Sequence, residues 1–261
     1  MGTEATRRLR TGDLARAAGV HPNTVRLYEK WGFIAEAERE ENGYRGFAKA
    51  DLEQLRFARL ALHGLWPGRR IRQSALELVR TAATGRLEEA RDMALGHARL
   101  VREEKGRAEE AAAYLEAWAS ESGPREGAEA ARGTGERLVG AREAARAAEV
   151  SMDQLRNWER NCIVRPRRAG PGSERRYGRA ELGEIRVVRS LILAGFSVSA
   201  VLRMTGALRT GRVGGLREAL DEPRPGEEIL SAFDRWLSYL GEEERRADAL
   251  IEDLDGRILR G

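Results

Sequence analysis

The stretch VHPNTVRLYEKWGFI, residues 20–34, is echoed later in the chain by VSMDQLRNWERNCIV, residues 150–164. A shift of 130 positions carries one onto the other, and the register holds without a gap from residues 13–66 to residues 143–196. Ala15, Arg16, Val20, Arg26, Glu29, Arg45, Leu52, Arg56 and Arg59 recur as Ala145, Arg146, Val150, Arg156, Glu159, Arg175, Leu182, Arg186 and Arg189. Conservative exchanges pair Val25 with Leu155, Tyr28 with Trp158 and Phe47 with Tyr177. Two Ala/Arg-rich helices can resemble each other by chance, but chance does not keep register through two loops. The pattern reads as an internal duplication.

Local signals within each copy agree with one another. In the first, Thr11 is expected to cap a short helix that Gly19 ends, and His21-Pro22 to open a second helix with proline at its first position. In the second, Ser151 and Gln154 have the spacing of a capping box. Two short helices joined by a tight turn make a helix-turn-helix. Each second helix is followed by a polar, turn-rich stretch, AEAEREENGYRGF at 35–47 and RPRRAGPGSERRY at 165–177, of the length of a small hairpin or wing. A third helix then carries Leu52, Leu55 and Leu62 on one face, and in the other copy Leu182, Ile185, Val188 and Ile192.

Each copy runs on into a long helix. Leu87, Ala90, Ala94, His97, Val101, Glu104, Ala108, Ala111, Leu115 and Trp118 alternate steps of three and four. So do Leu230, Phe233, Leu237, Leu240, Glu244, Ala247, Ile251, Leu254 and Ile258. A seam of this kind, sustained for about four heptads, predicts coiled-coil pairing, with each helix roughly 40 Å long.

The 261 residues suffice for two domains, each able to bury a core, and 34% charged against 6% aromatic residues favours helices over sheets. The expected fold is mainly α. Its parts are a first winged helix-turn-helix unit at 1–80, a coiled-coil helix at 86–120, a flexible Gly- and charge-rich linker at 121–137, a second winged unit at 138–215 and a second coiled-coil helix at 227–259. Net charge is only +4 although Lys and Arg total 46, so any affinity for nucleic acid must come from where the cations sit. Cys162 is the only cysteine, which excludes intrachain disulfides and favours a reducing compartment. The first residues, MGTEATRRLR, lack an apolar core, and no window approaches the roughly 18 apolar residues of a membrane span; the expected location is cytoplasmic, away from membranes.

The sequence of helix-turn-helix, a second helix reading V-x-x-x-T-[VL]-R-x-[YW]-E, a wing ending in R-x-[FY], a third helix and a long helix resembles the mercury-resistance regulator (MerR) family of bacterial transcription factors. Residues 9 to about 120 cover the pattern once, and 138–259 cover it again more loosely. The resemblance implies that the second helix enters the major groove of double-stranded promoter DNA, that the wing grips the backbone, that promoter DNA is distorted, and that RNA polymerase is a partner.

On that basis Asn23, Thr24 and Arg26 are expected to face the groove, and Tyr28, Tyr44 and Arg45 to hold the backbone. In the second copy the matching positions are Gln154, Arg156, Trp158, Arg168, Arg175, Arg176 and Tyr177. Arginine is the best bidentate partner for guanine or phosphate, and phenolic hydroxyls hydrogen-bond phosphate oxygens. A blander reading stands beside this one. Tyr28, Trp158 and Tyr177 are also placed to be core aromatics under the wing, and Arg26 and Arg156 to be solvated helix residues. The two wings differ in charge: Glu36, Glu38, Glu40 and Glu41 outnumber Arg39, Arg45 and Lys49 in the first, whereas Arg165, Arg167, Arg168, Arg175, Arg176 and Arg179 face Glu174 alone in the second. The second wing is therefore expected to supply more of the salt-sensitive affinity.

Family members generally pair their long helices antiparallel as homodimers. With two units on one chain, the expectation is a monomeric pseudo-dimer reading an asymmetric operator, with a true homodimer as the alternative. No cofactor is expected. One cysteine and the scattered His21, His63 and His97 argue against a clustered soft-metal site. Antiparallel pairing would gather Tyr114, Trp118, Phe233, Trp236 and Tyr239 at one end of the bundle, either as core or as a site for a flat apolar ligand, and this sustains a second functional reading as a small-molecule-binding resistance protein. No His, Cys or Ser stands in a pattern that suggests a nucleophile with its base, so an enzyme is not expected.

Overall fold

The computed structural model describes residues 8–39, 43–63, 68–122, 136–210, 215–222 and 232–260. Glu40 and Glu41 of the first hairpin, residues 123–135 of the expected linker, and Leu230 of the second seam lie outside them. In chain order the elements are α1 (Thr11–Ala18), α2 (Pro22–Lys30), β1 (Glu38–Arg39), β2 (Arg45–Gly46), α3 (Lys49–Ala61), α4 (Arg69–Ala83) and α5 (Leu87–Ser122), then α6 (Ala141–Ala147), α7 (Met152–Arg160), β3 (Arg167–Ala169), β4 (Glu174–Arg176), α8 (Arg179–Leu193), α9 (Val198–Arg209), α10 (Leu216–Asp221) and α11 (Trp236–Ile258). Packing groups Met1–Arg102 with Glu242–Gly261 as one unit and Glu103–Gly241 as the other. Each unit thus includes a piece of both long helices.

In the first unit, α1 does not begin as the sequence suggested. Thr11 is already helical; Arg10 occupies the cap with extended backbone, and its N–H donates to the Asp13 carboxylate at 3.3 Å. The acid at the third helical position satisfies the N–H of the cap residue itself, the half of a capping box that this position supplies. Gly19 ends α1 at φ 64°, and His21 opens α2, its Nδ1 accepting from the Asn23 N–H at 3.2 Å with Pro22 at the first helical position. β1 and β2 pair antiparallel, and Leu9 adds a backbone bridge to Phe47. Leu14, Ala15, Ala18, Val25, Ile34, Phe47 and Leu55 form a core under this hairpin. A second core joins Phe33, Phe57, Leu78 and Val79 to Ala90 and Ala94 of α5 and to Leu250 and Leu254 of α11.

The other unit repeats these joints. Ser151 and Gln154 close a capping box at 3.0 and 2.9 Å, β3 and β4 pair antiparallel, and Val139 bridges to Tyr177. Bonds recur at the same offset: Val20 and Val150 donate to the carbonyls of Ala15 and Ala145, both at 2.9 Å, and Phe33 and Ile163 to those of Tyr28 and Trp158, both at 2.8 Å. Arg56 and Arg186 reach the carbonyls of Ala17 and Ala147, both at 3.1 Å. Arg59 and Arg189 reach those of Ala18 and Glu149. The recurring arginines of the third helix therefore cap the C-terminal end of the first, where unpaired carbonyls and the helix dipole favour a cation.

Between the third helix and the long helix lie α4 in the first unit and α9 and α10 in the second, which the sequence periodicity did not predict. Ile71, Ala75, Leu78, Val79 and Ala82 line the buried side of α4, and Ser197 caps α9 by accepting from the Ala200 N–H at 3.0 Å. Arg203 of α9 is 5% exposed and donates to the carbonyls of Ala219 and Leu220, tying α10 to it. In the long helices, Ala90, Ala94, His97, Val101, Ala108, Ala111 and Leu115 of the first seam are buried, as are Leu237, Leu240, Ala247 and Leu254 of the second. Among the described residues no helix is long and apolar enough to cross a membrane.

Candidate nucleic-acid interface

Helical periodicity decides which residues of α2 and α7 are left for a partner. Val25 and, in the other unit, Leu155 point inward at 0% exposure. Asn23, Arg26, Leu27 and Lys30 form an exposed stripe with the i, i+3, i+4, i+7 spacing of one helix face, and Asp153, Arg156, Asn157 and Arg160 form its counterpart. In both stripes the arginine is steered by the residue three before it: Arg26 donates to Asn23 Oδ1 at 3.0 Å and Arg156 to Asp153 Oδ1 at 3.2 Å. Thr24 is half-buried. Gln154 is exposed, with its side-chain oxygen spent on the cap of α7.

A second repeated feature fixes the hairpins. Glu29 of α2 accepts from Arg45 Nε of β2 at 3.0 Å and from the Ala37 N–H at 3.0 Å. Glu159 of α7 holds Arg175 of β4 at 2.9 Å, close enough for an ion pair but not aligned as a hydrogen bond, and also accepts from the Tyr177 hydroxyl. Arg45 and Arg175 thus have an internal partner that sets where each hairpin lies against its helix.

Several expected contacts need correction. Trp158 is 6% exposed and Tyr177 0%, so neither side chain can reach a DNA backbone; both are core, one under the hairpin and one clamped to Glu159. Burial and the Glu159 hydrogen bond push the Tyr177 hydroxyl far above the ordinary phenol range. Tyr28 is half-buried, edge-on to Phe33 at 5.4 Å between ring centres, and its phenol is raised by desolvation. Tyr44 is 59% exposed beneath the Arg10 guanidinium. Arg168 is exposed and donates to the Ser173 carbonyl at 3.1 Å, and Arg176 pairs with Glu174 across one turn of strand.

The second unit adds a cleft of about 600 Å³ between the end of α7 and β3, lined by Arg156, Arg160, Arg165, Arg168 and Arg175 with Glu159 and Cys162. Glu159 is already neutralised from within, so the walls are strongly cationic. At the same offset the first unit places Ala35 for Arg165 and Glu38 for Arg168. Below the cleft, burial raises the Glu184 carboxyl to about 7 in spite of Arg209, whose guanidinium donates to it at 3.3 Å and to the Ile163 carbonyl at 2.8 Å.

Of the expected aromatic cluster, Trp236 and Tyr239 are buried, Trp118 and Phe233 are half-buried and Tyr114 is exposed. A side chain on Gly183 of α8 would collide with the Trp118 indole, and one on Gly195 would meet Trp236 at 2.7 Å. Trp236 donates to the Ala194 carbonyl at 2.8 Å and stacks on Tyr239 at 5.8 Å, with Phe233 at 4.9 Å; Tyr114 is 42% exposed. Among the described residues no group of three or more His, Cys, Asp or Glu side chains is placed to hold a metal.

Leu27, Lys30, Asp153, Asn157, Arg160 and Arg165 are also exposed on these surfaces, and the sequence motifs did not single them out. Projecting α2 and α7 on a helical wheel from the buried Val25 and Leu155 would have found the first five.

With the geometry established, two family models match the chain: "MerR family regulatory protein" over residues 10–47 and "MerR HTH family regulatory protein" over residues 141–207. The mercuric resistance operon regulatory protein of Bacillus cereus is 42% identical over 50 residues, which is 19% of this chain and 38% of that protein. The HTH-type transcriptional regulator ZntR of Escherichia coli K12 is 42% identical over 52 residues, 20% of this chain and 37% of that protein. The chain therefore spans less than two-fifths of the length of these relatives. No solved structure gives a significant match.

Proposed function

We propose, for a chain that belongs to the MerR family and carries one family unit in each half, that it binds double-stranded promoter DNA sequence-specifically and regulates transcription. The observation that carries this reading is the repeated exposed stripe: in both units the second helix offers an arginine oriented from position i−3, beside a hairpin clamped to the same helix. Asn23, Thr24 and Arg26, and in the other unit Gln154 and Arg156, face the major groove. Tyr44, Arg168 and Arg176 on the winged hairpins hold phosphates. Arg45 and Arg175 act through the position of the wing. The relatives' names, an operon regulatory protein and a transcriptional regulator, favour the same reading over an enzyme.

The chain acts as a pseudo-dimer in which the seams of α5 and α11 pair antiparallel as a coiled coil. Supporting this, Arg91 meets Asp255 while Arg102 meets Glu244 and Asp248, so residue numbers rise along one helix as they fall along the other. The solution mass is then 29.0 kDa and independent of concentration; a species of twice that mass in dilute solution would refute it. Because the reading stripes differ between units, the operator is asymmetric. Distortion of the promoter and contact with RNA polymerase belong to the same proposal, by resemblance to the family. The aromatic cluster gains little support as a ligand site, since its two indoles are packed against Gly183 and Gly195, and Trp236 also donates to the Ala194 carbonyl.

Selection from random duplexes with the full chain tests the proposal. It should enrich one asymmetric sequence whose affinity falls steeply with salt. No enrichment, or a perfect palindrome, would contradict it.

A further inference from the structure

Leu27 is 43% exposed on a helix whose other apolar side chains turn inward. The neighbouring exposed aromatics are accounted for: Trp31 packs on Tyr28 and Phe33, with ring centres 6.4 and 5.7 Å away, and Tyr44 lies under Arg10. Leu27 instead sits in the stripe with Asn23, Arg26 and Lys30. The second unit places Asn157 at the same position, between the exposed Arg156 and Arg160, with its side-chain oxygen accepting from Asn161 at 2.6 Å. One stripe therefore carries a branched hydrocarbon where the other carries a carboxamide.

We infer that position 27/157 sets base preference differently in the two halves of the operator: Leu27 reads the C5-methyl group of a thymine, and Asn157 reads a hydrogen-bonding base edge. This rests on the reading that α2 and α7 enter the major groove. Within that groove the thymine methyl is the apolar group that a leucine can cover, whereas adenine presents the donor and acceptor pair that a carboxamide matches. Covering the methyl removes apolar surface from water on both sides. A leucine against any other base edge would bury polar atoms without partners, which is costly.

The test scans the duplex selected by the full chain, replacing each thymine in turn by deoxyuracil, which lacks only the methyl group. One thymine in one half-site should weaken binding about fourfold when its methyl is removed. Leu27→Ala should bind the thymine and uracil duplexes equally, with a circular-dichroism melt close to that of the wild type, because Leu27 is exposed and belongs to neither described core cluster of its unit. Asn157→Leu should create a new methyl sensitivity in the opposite half-site when a thymine is placed at its contacted base. Persistence of the original methyl sensitivity in Leu27→Ala, or indifference of the wild-type protein to every methyl, overturns the inference alone. Failure to select any duplex overturns the DNA-binding reading and the inference with it.

Discussion

Three residues of the second unit hold left-handed backbone: Glu149 at φ 54°, Cys162 at φ 57° and Ser173 at φ 50°. At the same offset the first unit has Gly19, Gly32 and Gly43, all with positive φ. An L side chain in this region costs about 1–2 kcal/mol, so divergence of the second copy has left strain at its turns. Glu149→Gly should stabilise the protein by about 1 kcal/mol in urea unfolding, since the exposed Glu149–Arg189 pair that it sacrifices is worth little. Glu149→Ala, which loses the pair and keeps the Cβ, should give no gain. Gly19→Ala should cost a similar amount for its φ, because its Cβ would meet only Arg59 at 3.6 Å. His97 is the other informative residue. It is 1% exposed beside Ser74, and burial lowers its pKa from 6.5 to about 4. Its depressed folded pKa means that the stability it permits is present above pH 6.5 and drains away as pH falls toward 4, by about 3 kcal/mol in all. His97→Gln should flatten that limb of the stability profile. Glu184 has the opposite sign: its raised pKa of about 7 makes its carboxylate a cost that grows as pH rises from 4.5 through 7.

Elements were legible in the sequence where a local signal had a single use. Pro22 after His21, the Ser151 box and the heptad steps each specify backbone or burial without reference to anything distant. The third helix and hairpins followed from the repeat. What the sequence hid were choices settled by tertiary packing. Trp158 and Tyr177 have the chemistry of interface residues but are recruited to the core under their hairpin, and Glu159 is a plain helix glutamate until Arg175 and Tyr177 converge on it. Glu159→Ala should therefore unfold the hairpin edge, costing about 1–3 kcal/mol for the polar groups left without a partner, with faster amide exchange at β3 and β4. The fit of α5 against α8 was equally invisible, because glycine in a helix reads as a weakness until Trp118 is seen to need the space. Gly183→Ala should cost about 1–3 kcal/mol through overpacking and shift the fluorescence of Trp118.

At the scale of the whole molecule, two family units on one chain need not be identical, as the subunits of a homodimer are, and their surface charges differ. The cleft beside α7 presents Arg160, Arg165 and Arg168, while the matching surface of the first unit has Lys30, Ala35 and Glu38. A phosphate neutralised by one arginine contributes a slope of roughly 0.9 to the fall of log affinity with log salt. Converting the second unit to the first unit's residues, Arg165→Ala with Arg168→Glu, should reduce that slope by about 2 and weaken binding alike on operator and unrelated duplex. The reverse exchange, Ala35→Arg with Glu38→Arg, should steepen the slope and tighten unrelated DNA more than operator, eroding specificity. Titrations on both duplexes at several salt concentrations measure both effects. Equal slopes for the wild type and the Arg165→Ala, Arg168→Glu protein would mean that these arginines meet no phosphate. The asymmetry of charge would then serve folding or solubility rather than a division of labour in which one unit anchors and the other reads.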